Sequence, residues 1–173
     1  MRTVKQEYIV KYYDNGNKYN ELYFLNGELH NPNGIAFKSW HENGNICSES
    51  YYINGKLHNP NGIAYKCWHK NGKICSEEYW INGKRHNPNG IAYKSWYDNG
   101  NIWIEQYYLN GKLHNPNGIA LKSWYDNGNK KCEEYWLNGN ILTKKEFNNR
   151  NNPCNPSDKI VEIDGKKYKL KKV

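Results

Sequence analysis

The sequence is poor in purely apolar side chains. Hydrophobic residues make up 37% of the chain, mean hydropathy is −1.09, and there are only 3 Phe and 1 Met. Such a chain cannot fill the thick core of a two-layer domain. The 16 Tyr and 7 Trp nevertheless argue against disorder, because amphipathic aromatic residues suit a thin structure whose faces are partly wet.

The sequence also lacks a signal-peptide-like run and any segment able to span a bilayer, so we expect no membrane role. The five cysteines are odd in number and form no Cys-x-x-Cys pair: Cys47, Cys67, Cys75, Cys132 and Cys154. Together these absences predict a reduced cytoplasmic location, which is the host cytoplasm if the gene is carried by a phage.

Positive charge is concentrated in the last thirty residues. Residues 144–173 hold nine Lys/Arg and four Asp/Glu, a net of +5 out of the formal +8. This basic tail either contacts an acidic partner or only keeps the chain soluble, and both interpretations stay open. The tail residues predicted to contact a partner are Lys166, Lys167, Lys169, Lys171 and Lys172.

A 28-residue repeat organises most of the chain. Asn-Gly pairs end at Gly16, Gly44, Gly72, Gly100 and Gly128, and a second series ends at Gly27, Gly55, Gly83, Gly111 and Gly139. Every step within each series is 28 residues, without insertion or deletion. We therefore predict five tandem units in residues 1–146, a linker in 147–158 and a basic β-hairpin in 159–173.

Each unit contains two extended runs, which in the fourth unit are residues 91–97 and 102–109. Both are rich in β-branched and aromatic residues, and the Asn99-Gly100 pair between them is a strong hairpin signal. These features predict an all-β fold: an elongated, single antiparallel sheet of tandem hairpins with about ten strands, plus the C-terminal hairpin.

A two-residue turn at Asn99-Gly100 fixes a testable register. It places Trp96 opposite Trp103 and Lys94 opposite Glu105. The same turn in the other units pairs Lys38 with Glu49, Lys66 with Glu77, and Lys122 with Glu133. Opposite charges facing each other across a hairpin contribute a few tenths to ~1 kcal/mol each, which supports this register. Cys67 and Cys75 then face opposite sides of the sheet.

Stacking successive hairpins aligns equivalent aromatic residues in columns. These columns are the predicted partner-binding residues: Trp40, Trp68, Trp96 and Trp124 in one, and Tyr52, Trp80, Tyr108 and Trp136 in the other. A single layer cannot bury both of its aromatic faces by itself, so one face should meet a protein partner or a second copy of the chain.

The stretch Tyr108-Leu109-Asn110-Gly111-Lys112-Leu113-His114, an aromatic residue followed by Gly, Lys and His, resembles the MORN repeat. The likeness covers residues 8 to about 142 and is greatest to the bacterial and viral variant of the repeat, part of which is described as antitoxin-like. The resemblance implies an elongated strip of β-hairpins that acts in protein contacts or dimerisation. The family's unit is shorter, and residues such as Glu78 replace its small residue, which weakens any inherited lipid role.

Repeated residues also allow enzymatic and metal-binding functions to be weighed. His30, His58, His86 and His114 recur once per unit, about 9.6 Å apart, too far to share a metal ion, so a hydrogen-bonding role in a turn is expected. Glutamates repeated in identical copies do not make the single asymmetric site that catalysis needs. We expect no enzyme activity, no catalytic residue, no metal and no cofactor.

The leading hypothesis is a non-enzymatic protein-binding repeat module that uses an aromatic and polar sheet face. Two alternatives stay open. One is a phage or mobile-element inhibitor of a bacterial defence nuclease, an anti-CRISPR-like protein whose partner is a nucleic-acid-bound nuclease. The other is an RNA or single-stranded DNA binder that uses the basic tail, since cations beside aromatic rings suit single strands.

Overall fold

The computed structural model describes residues 4–150, 160–163 and 166–169, which are almost entirely β-structure, as predicted. The strands are β1 (Gln6–Tyr12), β2 (Lys18–Leu25), β3 (Glu28–Leu29), β4 (Phe37–Trp40), β5 (Ile46–Ser50), β6 (Tyr52–Ile53), β7 (Lys56–Leu57), β8 (Tyr65–Trp68), β9 (Ile74–Glu78), β10 (Trp80–Ile81), β11 (Lys84–Arg85), β12 (Tyr93–Trp96), β13 (Ile102–Gln106), β14 (Tyr108–Leu109), β15 (Lys112–Leu113), β16 (Leu121–Trp124), β17 (Lys130–Leu137), β18 (Asn140–Leu142), β19 (Ile160–Ile163) and β20 (Lys166–Lys169). One helix, α1 (Lys144–Asn149), follows β18.

Twelve of these twenty strands join into one open antiparallel sheet, close to the predicted ten, and the other eight form four two-stranded hairpins. The order of the large sheet is β1-β2-β4-β5-β8-β9-β12-β13-β16-β17-β18, with β3 beside β2. Each 28-residue unit adds one long hairpin to this sheet, so the sheet grows in chain order by about 9.6 Å per unit. No helix in the described part of the chain is long and apolar enough to cross a membrane.

The long hairpins contain two irregularities that the sequence analysis did not predict. The Asn99-Gly100 turn spans four residues: the N–H of Gly100 donates to the carbonyl of Tyr97 at 2.9 Å, with Gly100 at φ +96°. This turn places Trp96 opposite Ile102, and the predicted Trp96–Trp103 pair is wrong. Trp103 is instead an extra, bulged residue that restores the register, so Lys94 still faces Glu105.

The bulge also corrects the expectation for the cysteines of the third unit. Trp68 pairs with Ile74, and Cys75 is the bulged residue between Ile74 and Ser76. Because a bulge changes the side of the sheet on which a residue points, Cys75 reaches Cys67 instead of facing away from it. The two sulfurs form a disulfide, with 5.3 Å between the Cα atoms.

A row of alternating lysines and glutamates crosses the whole sheet. In register order it runs Glu21, Lys38, Glu49, Lys66, Glu77, Lys94, Glu105, Lys122 and Glu133. Ion pairs of 2.7 Å join Lys38 to Glu49, Lys66 to Glu77 and Lys94 to Glu105, confirming the predicted pairs. In the fifth unit Glu133 bonds Lys130 instead, at 2.6 Å, although its backbone partner is Lys122.

The second predicted run of each unit does not remain one strand. In the fourth unit it bends at Tyr107, whose N–H donates to Ala120 and whose carbonyl accepts the N–H of His114. The chain therefore leaves the main sheet and forms the short hairpin β14–β15 around Asn110-Gly111. Successive short hairpins are joined by backbone hydrogen bonds, such as Gly111 N–H to the Arg85 carbonyl at 2.8 Å.

The buried apolar core is very thin. Its fully buried members are Ala36, Ala64, Ala92 and Ala120, each 0% exposed. Each alanine lies at the bend between the long and short hairpins, where its backbone links neighbouring units: Ala92 N–H donates to Gln106, and its carbonyl accepts the N–H of Tyr79. Stability consequently comes from repeated contacts between neighbours, as in other repeat proteins.

Helix α1 covers the end of the array, although no helix was predicted. Thr143 and Glu146 form a capping box in which each side chain bonds the other residue's backbone N–H. Phe147, 5% exposed, packs on the ring of Tyr135 with 4.7 Å between centroids. Most of the predicted linker 147–158 lies outside the described residues. Beyond it, β19 and β20 pair as a hairpin, with Glu162 opposite Lys167.

The short-hairpin turns yield a stability prediction. Asn82 has φ +51°, a left-handed conformation that costs most L-residues about 1–2 kcal/mol. We expect Asn82→Ala to lower the free energy of unfolding by about 1 kcal/mol, because alanine tolerates this conformation less well than asparagine. Asn82→Gly, which keeps the accessible backbone conformation, should unfold in urea close to wild type. Equal losses for both variants would contradict this reading of the turn.

Candidate binding site

The sheet presents two chemically different faces. The face that carries the lysine–glutamate row is here called the charged face. The opposite face, here called the serine face, carries a row of mostly small residues: Asn20, Ser39, Ser48, Cys67, Ser76, Ser95, Ile104, Ser123 and Cys132. Successive residues of a strand alternate between the two faces, which is why one repeat can build both.

The predicted tryptophan column lies on the charged face. Trp40, Trp68, Trp96 and Trp124 are half-buried. The lysine two residues before Trp96 lies over its ring, with Nζ of Lys94 5.4 Å from the ring centroid, and the same contact occurs at Trp68. Because these lysines are also paired with glutamates, the column is partly covered and its charge is neutralised.

The second predicted column, Tyr52, Trp80, Tyr108 and Trp136, lies on the serine face, opposite to the first. Here the polar edges of the rings have partners: Nε1 of Trp80 donates to Glu78 at 2.8 Å. Beside this column run Phe37, Tyr65, Tyr93 and Leu121. Burial raises the pKa of Tyr65, and the carboxylate of Glu78 raises it further. The buried polar residues Ser48, Ser76 and Glu78 lie on this face as well.

Arg85 makes one part of this face different from the other units. It takes the position that leucine holds in units one, two and four, and its guanidinium carbon lies 4.2 Å from the ring centroid of Tyr93. Its Nη2 also lies 2.9 Å from Glu78, which is 8% exposed. The charge of Arg85 is thus satisfied inside the protein, and we assign it a structural role.

The clearest break in the repeat lies on the serine face of the fourth unit. Ser39 bonds Ser48 at 2.7 Å and Ser123 bonds Cys132 at 2.9 Å, so the small residues are satisfied in pairs. Ser95, 3% exposed, faces Ile104 instead, and its Oγ has no hydrogen-bond partner. A buried hydroxyl without a partner costs stability, so it marks a place to look for a ligand.

A groove of about 660 Å³ lies over this unpaired hydroxyl. Trp103 forms one wall: it is 46% exposed and belongs to the bulge position, whose occupants in the five units are Tyr19, Cys47, Cys75, Trp103 and Lys131. The ring of Tyr97 lies 6.1 Å from that of Trp103 and is fixed by its hydroxyl, which donates to the Trp124 carbonyl at 2.9 Å. The bulge therefore places the exposed ring of Trp103 beside the ring of Tyr97, which is held by its hydrogen bond.

Two carboxylates give this groove a negative rim. Asp98 and Asp126 both line it, and the side chain of Asp98 is 79% exposed. Nδ1 of His69 lies 2.5 Å from Asp98, while Nε2 of the same ring lies 3.0 Å from the Trp96 carbonyl. His69 and the equivalent His41 thus connect each unit to the next, in the way that the hydroxyl of Tyr97 does.

The four repeated histidines have the predicted turn role. Nδ1 of His58, His86 and His114 accepts the backbone N–H of Asn82, Asn110 and Asn138 in the next unit, each at 3.1 Å. Each histidine thus bonds the Asn-Gly turn of the short hairpin in the following unit. Within the described residues, no three His, Cys, Asp or Glu side chains are grouped as metal ligands.

The sequence analysis missed the groove of the fourth unit. The sequence does contain a signal for it, because the fourth unit has Trp103 and Ile104 where the neighbouring units have Cys-Ser or Lys-Cys. The predicted tail residues Lys166, Lys167, Lys169, Lys171 and Lys172 lie where no side chain is described, so they stay a prediction.

Comparison with known proteins supports the repeat assignment. Residues 35–54, 63–82 and 89–110 match the family model described as MORN repeat variant. These segments lie in units two to four and extend from the long hairpin into the short one. No curated protein and no solved structure shows a significant match to the chain.

The unpaired hydroxyl yields a prediction with a matched control. Ser95→Ala should raise the free energy of unfolding by about 1 kcal/mol, because it removes a buried polar group without a partner. Ser39→Ala should lower it by a similar amount, since it leaves the Oγ of Ser48 unpaired. Urea denaturation of both variants measures the two changes, and destabilisation by Ser95→Ala would contradict an unsatisfied Ser95.

Proposed function

We propose that this protein is a non-enzymatic protein-binding module and that its partner binds on the serine face. The observation that carries the proposal is the groove of the fourth unit, where Ser95 lacks a partner and Trp103 is exposed. Both features arise where the repeat is broken. Selection for stability alone would favour the hydrogen-bonded pairs of small residues found in units two, three and five.

The chemistry of the groove favours an arginine side chain of the partner. A planar guanidinium stacks on an aromatic face and pairs with carboxylates, and here Trp103 lies beside Asp98 and Asp126. The carboxylate oxygens accept hydrogen bonds from the guanidinium N–H groups, which are donors only. Arginine and tryptophan are also the residues that most often dominate protein interfaces.

The charged face supports this assignment less well. Three of the four lysines in its row, Lys38, Lys66 and Lys94, are bonded to glutamates at 2.7 Å, so the face has little unpaired positive charge for phosphate groups. A nucleic-acid partner would therefore have to bind mainly through the tail.

The narrower hypothesis of a defence-nuclease inhibitor specifies which protein is bound, and it is tested by protection of phage in a host that carries such a nuclease.

The test uses a display library of random peptides, selected on the full-length protein. We expect enriched peptides to contain arginine, and replacing that arginine by neutral, isosteric citrulline to weaken binding at least about tenfold. Trp103→Ala should weaken the same peptides to a similar degree, because it removes the stacking surface. Isothermal titration calorimetry measures each affinity.

Tyr19→Ala is the matched control, since Tyr19 occupies the same bulge position in the first unit and is 45% exposed. It should leave the affinity unchanged. Peptides that bind Trp103→Ala as tightly as wild type would refute the proposed groove. Tight binding of single-stranded RNA that weakens steeply with salt would instead favour a nucleic-acid partner.

A further inference from the structure

A second surface lies along the edge where consecutive units are connected. The loop Asn-Pro-Asn-Gly recurs there four times, at residues 31–34, 59–62, 87–90 and 115–118. In the third of these loops, Oδ1 of Asn87 accepts the N–H of Asn89 at 3.1 Å, and its Nδ2 donates to the Ile91 carbonyl at 2.8 Å. The first asparagine thus ties each loop at both ends and leaves the proline exposed to solvent.

Between successive loops lie equivalent clefts of about 380 to 480 Å³. The cleft between the second and third loops has Pro60 and Pro88 as walls, and Tyr79, Ile81 and His86 line it as well. The next cleft is lined by Pro88, Pro116 and the equivalent Tyr107, Leu109 and His114. A further cleft of about 430 Å³ lies beside Tyr23 at the first loop. The edge therefore presents a row of clefts lined by tyrosine and proline.

Each of these clefts is also lined by a histidine whose ring can donate a hydrogen bond. Nδ1 of His86 accepts the N–H of Asn110 at 3.1 Å, so a neutral His86 ring carries its proton on Nε2. The same bond fixes His58 and His114. A ligand that suits this edge needs apolar ring surface, and carbonyl groups that are free to accept a hydrogen bond.

The spacing of the clefts restricts the shape of the ligand. The sheet advances about 9.6 Å per unit. A polyproline II helix has three residues per turn at about 3.1 Å each, so the same side of the helix returns every ~9.3 Å. Side chains on one side of an extended β-strand recur about every 6.7 Å, and one turn of an α-helix rises about 5.4 Å. Residues seven apart in an α-helix lie on one side and recur about every 10.5 Å, so of these repeats that of polyproline II is nearest to the spacing of the clefts.

We propose that this edge binds a proline-rich protein segment in the polyproline II conformation, with a proline at every third residue. Each proline ring packs between a tyrosine and the loop prolines of one cleft. Because polyproline II has no internal hydrogen bonds, its carbonyls are free to accept the Nε2–H of the histidines. This surface is separate from the groove at Trp103, so the two proposals can fail independently.

The test uses labelled peptides in which Pro-Ala-Ala is repeated to three, six, nine and twelve residues. We expect the affinity, measured by fluorescence anisotropy, to rise with each added triplet, since each one occupies a further cleft. The control peptide has the same twelve residues with its prolines spaced by two and four. It should bind at least about tenfold more weakly, because its prolines no longer coincide with the clefts.

Variants of the protein complete the test. Pro88 lies between two of the clefts described above and Pro116 borders the last of them, and both prolines are exposed. We expect Pro88→Ala to weaken the twelve-residue peptide clearly more than Pro116→Ala, whereas Trp103→Ala leaves that affinity unchanged. Circular dichroism verifies that each variant is folded. An affinity that is independent of peptide length or of proline spacing would refute the proposal, as would equal effects of the two proline variants.

Discussion

The alternation of lysine and glutamate across the sheet is the constraint on which the other features depend. A shift of one residue in any strand would place that strand's charged residues on the opposite face and bring its small residues out of their row. Among residues 4–150 the buried apolar core consists of four alanines and one phenylalanine, so burial alone cannot fix the register. Nine charged residues, each facing an opposite charge on the neighbouring strand, do so by repetition.

The turns have a corresponding role between units. Asparagine side chains at the long-hairpin turns donate to carbonyls of the next unit, as Asn99 does to Asp126 at 2.8 Å. At the short hairpins, histidines accept a backbone N–H of the next unit, as Nδ1 of His86 does from Asn110. Beside the long-hairpin turn, the hydroxyl of Tyr97 and the ring of His69 bond carbonyls of the next unit. The high content of asparagine, tyrosine and histidine at repeated positions thus has a physical cause, because polar side chains replace the missing aliphatic core as the contacts between units.

The sequence was sufficient to predict the sheet, its direction of growth and the charged pairs, because a strict repeat makes each local signal occur four or five times. It was not sufficient to predict the bulge at Trp103. The turn contains one residue more than predicted, and the bulge adds one residue to the second strand. These two shifts cancel, so Lys94 faces Glu105 with or without them. The helix at Lys144 was also missed, although Thr143 and Glu146 have the spacing of a capping box. The groove depends on which side the bulged residue points, and spacing along the sequence does not contain that information.

The bulge explains how a repeat of near-identical units can form a unique site. Residues within the regular strands are constrained by neighbours on both sides, so a change at Lys94 or Ser95 affects two adjacent strands. A bulged residue has no partner in the register, and it can vary without disturbing the sheet. That position holds tyrosine, cysteine, cysteine, tryptophan and lysine in the five units. Variation at this one column can therefore change what the serine face binds while the charged row keeps the architecture constant.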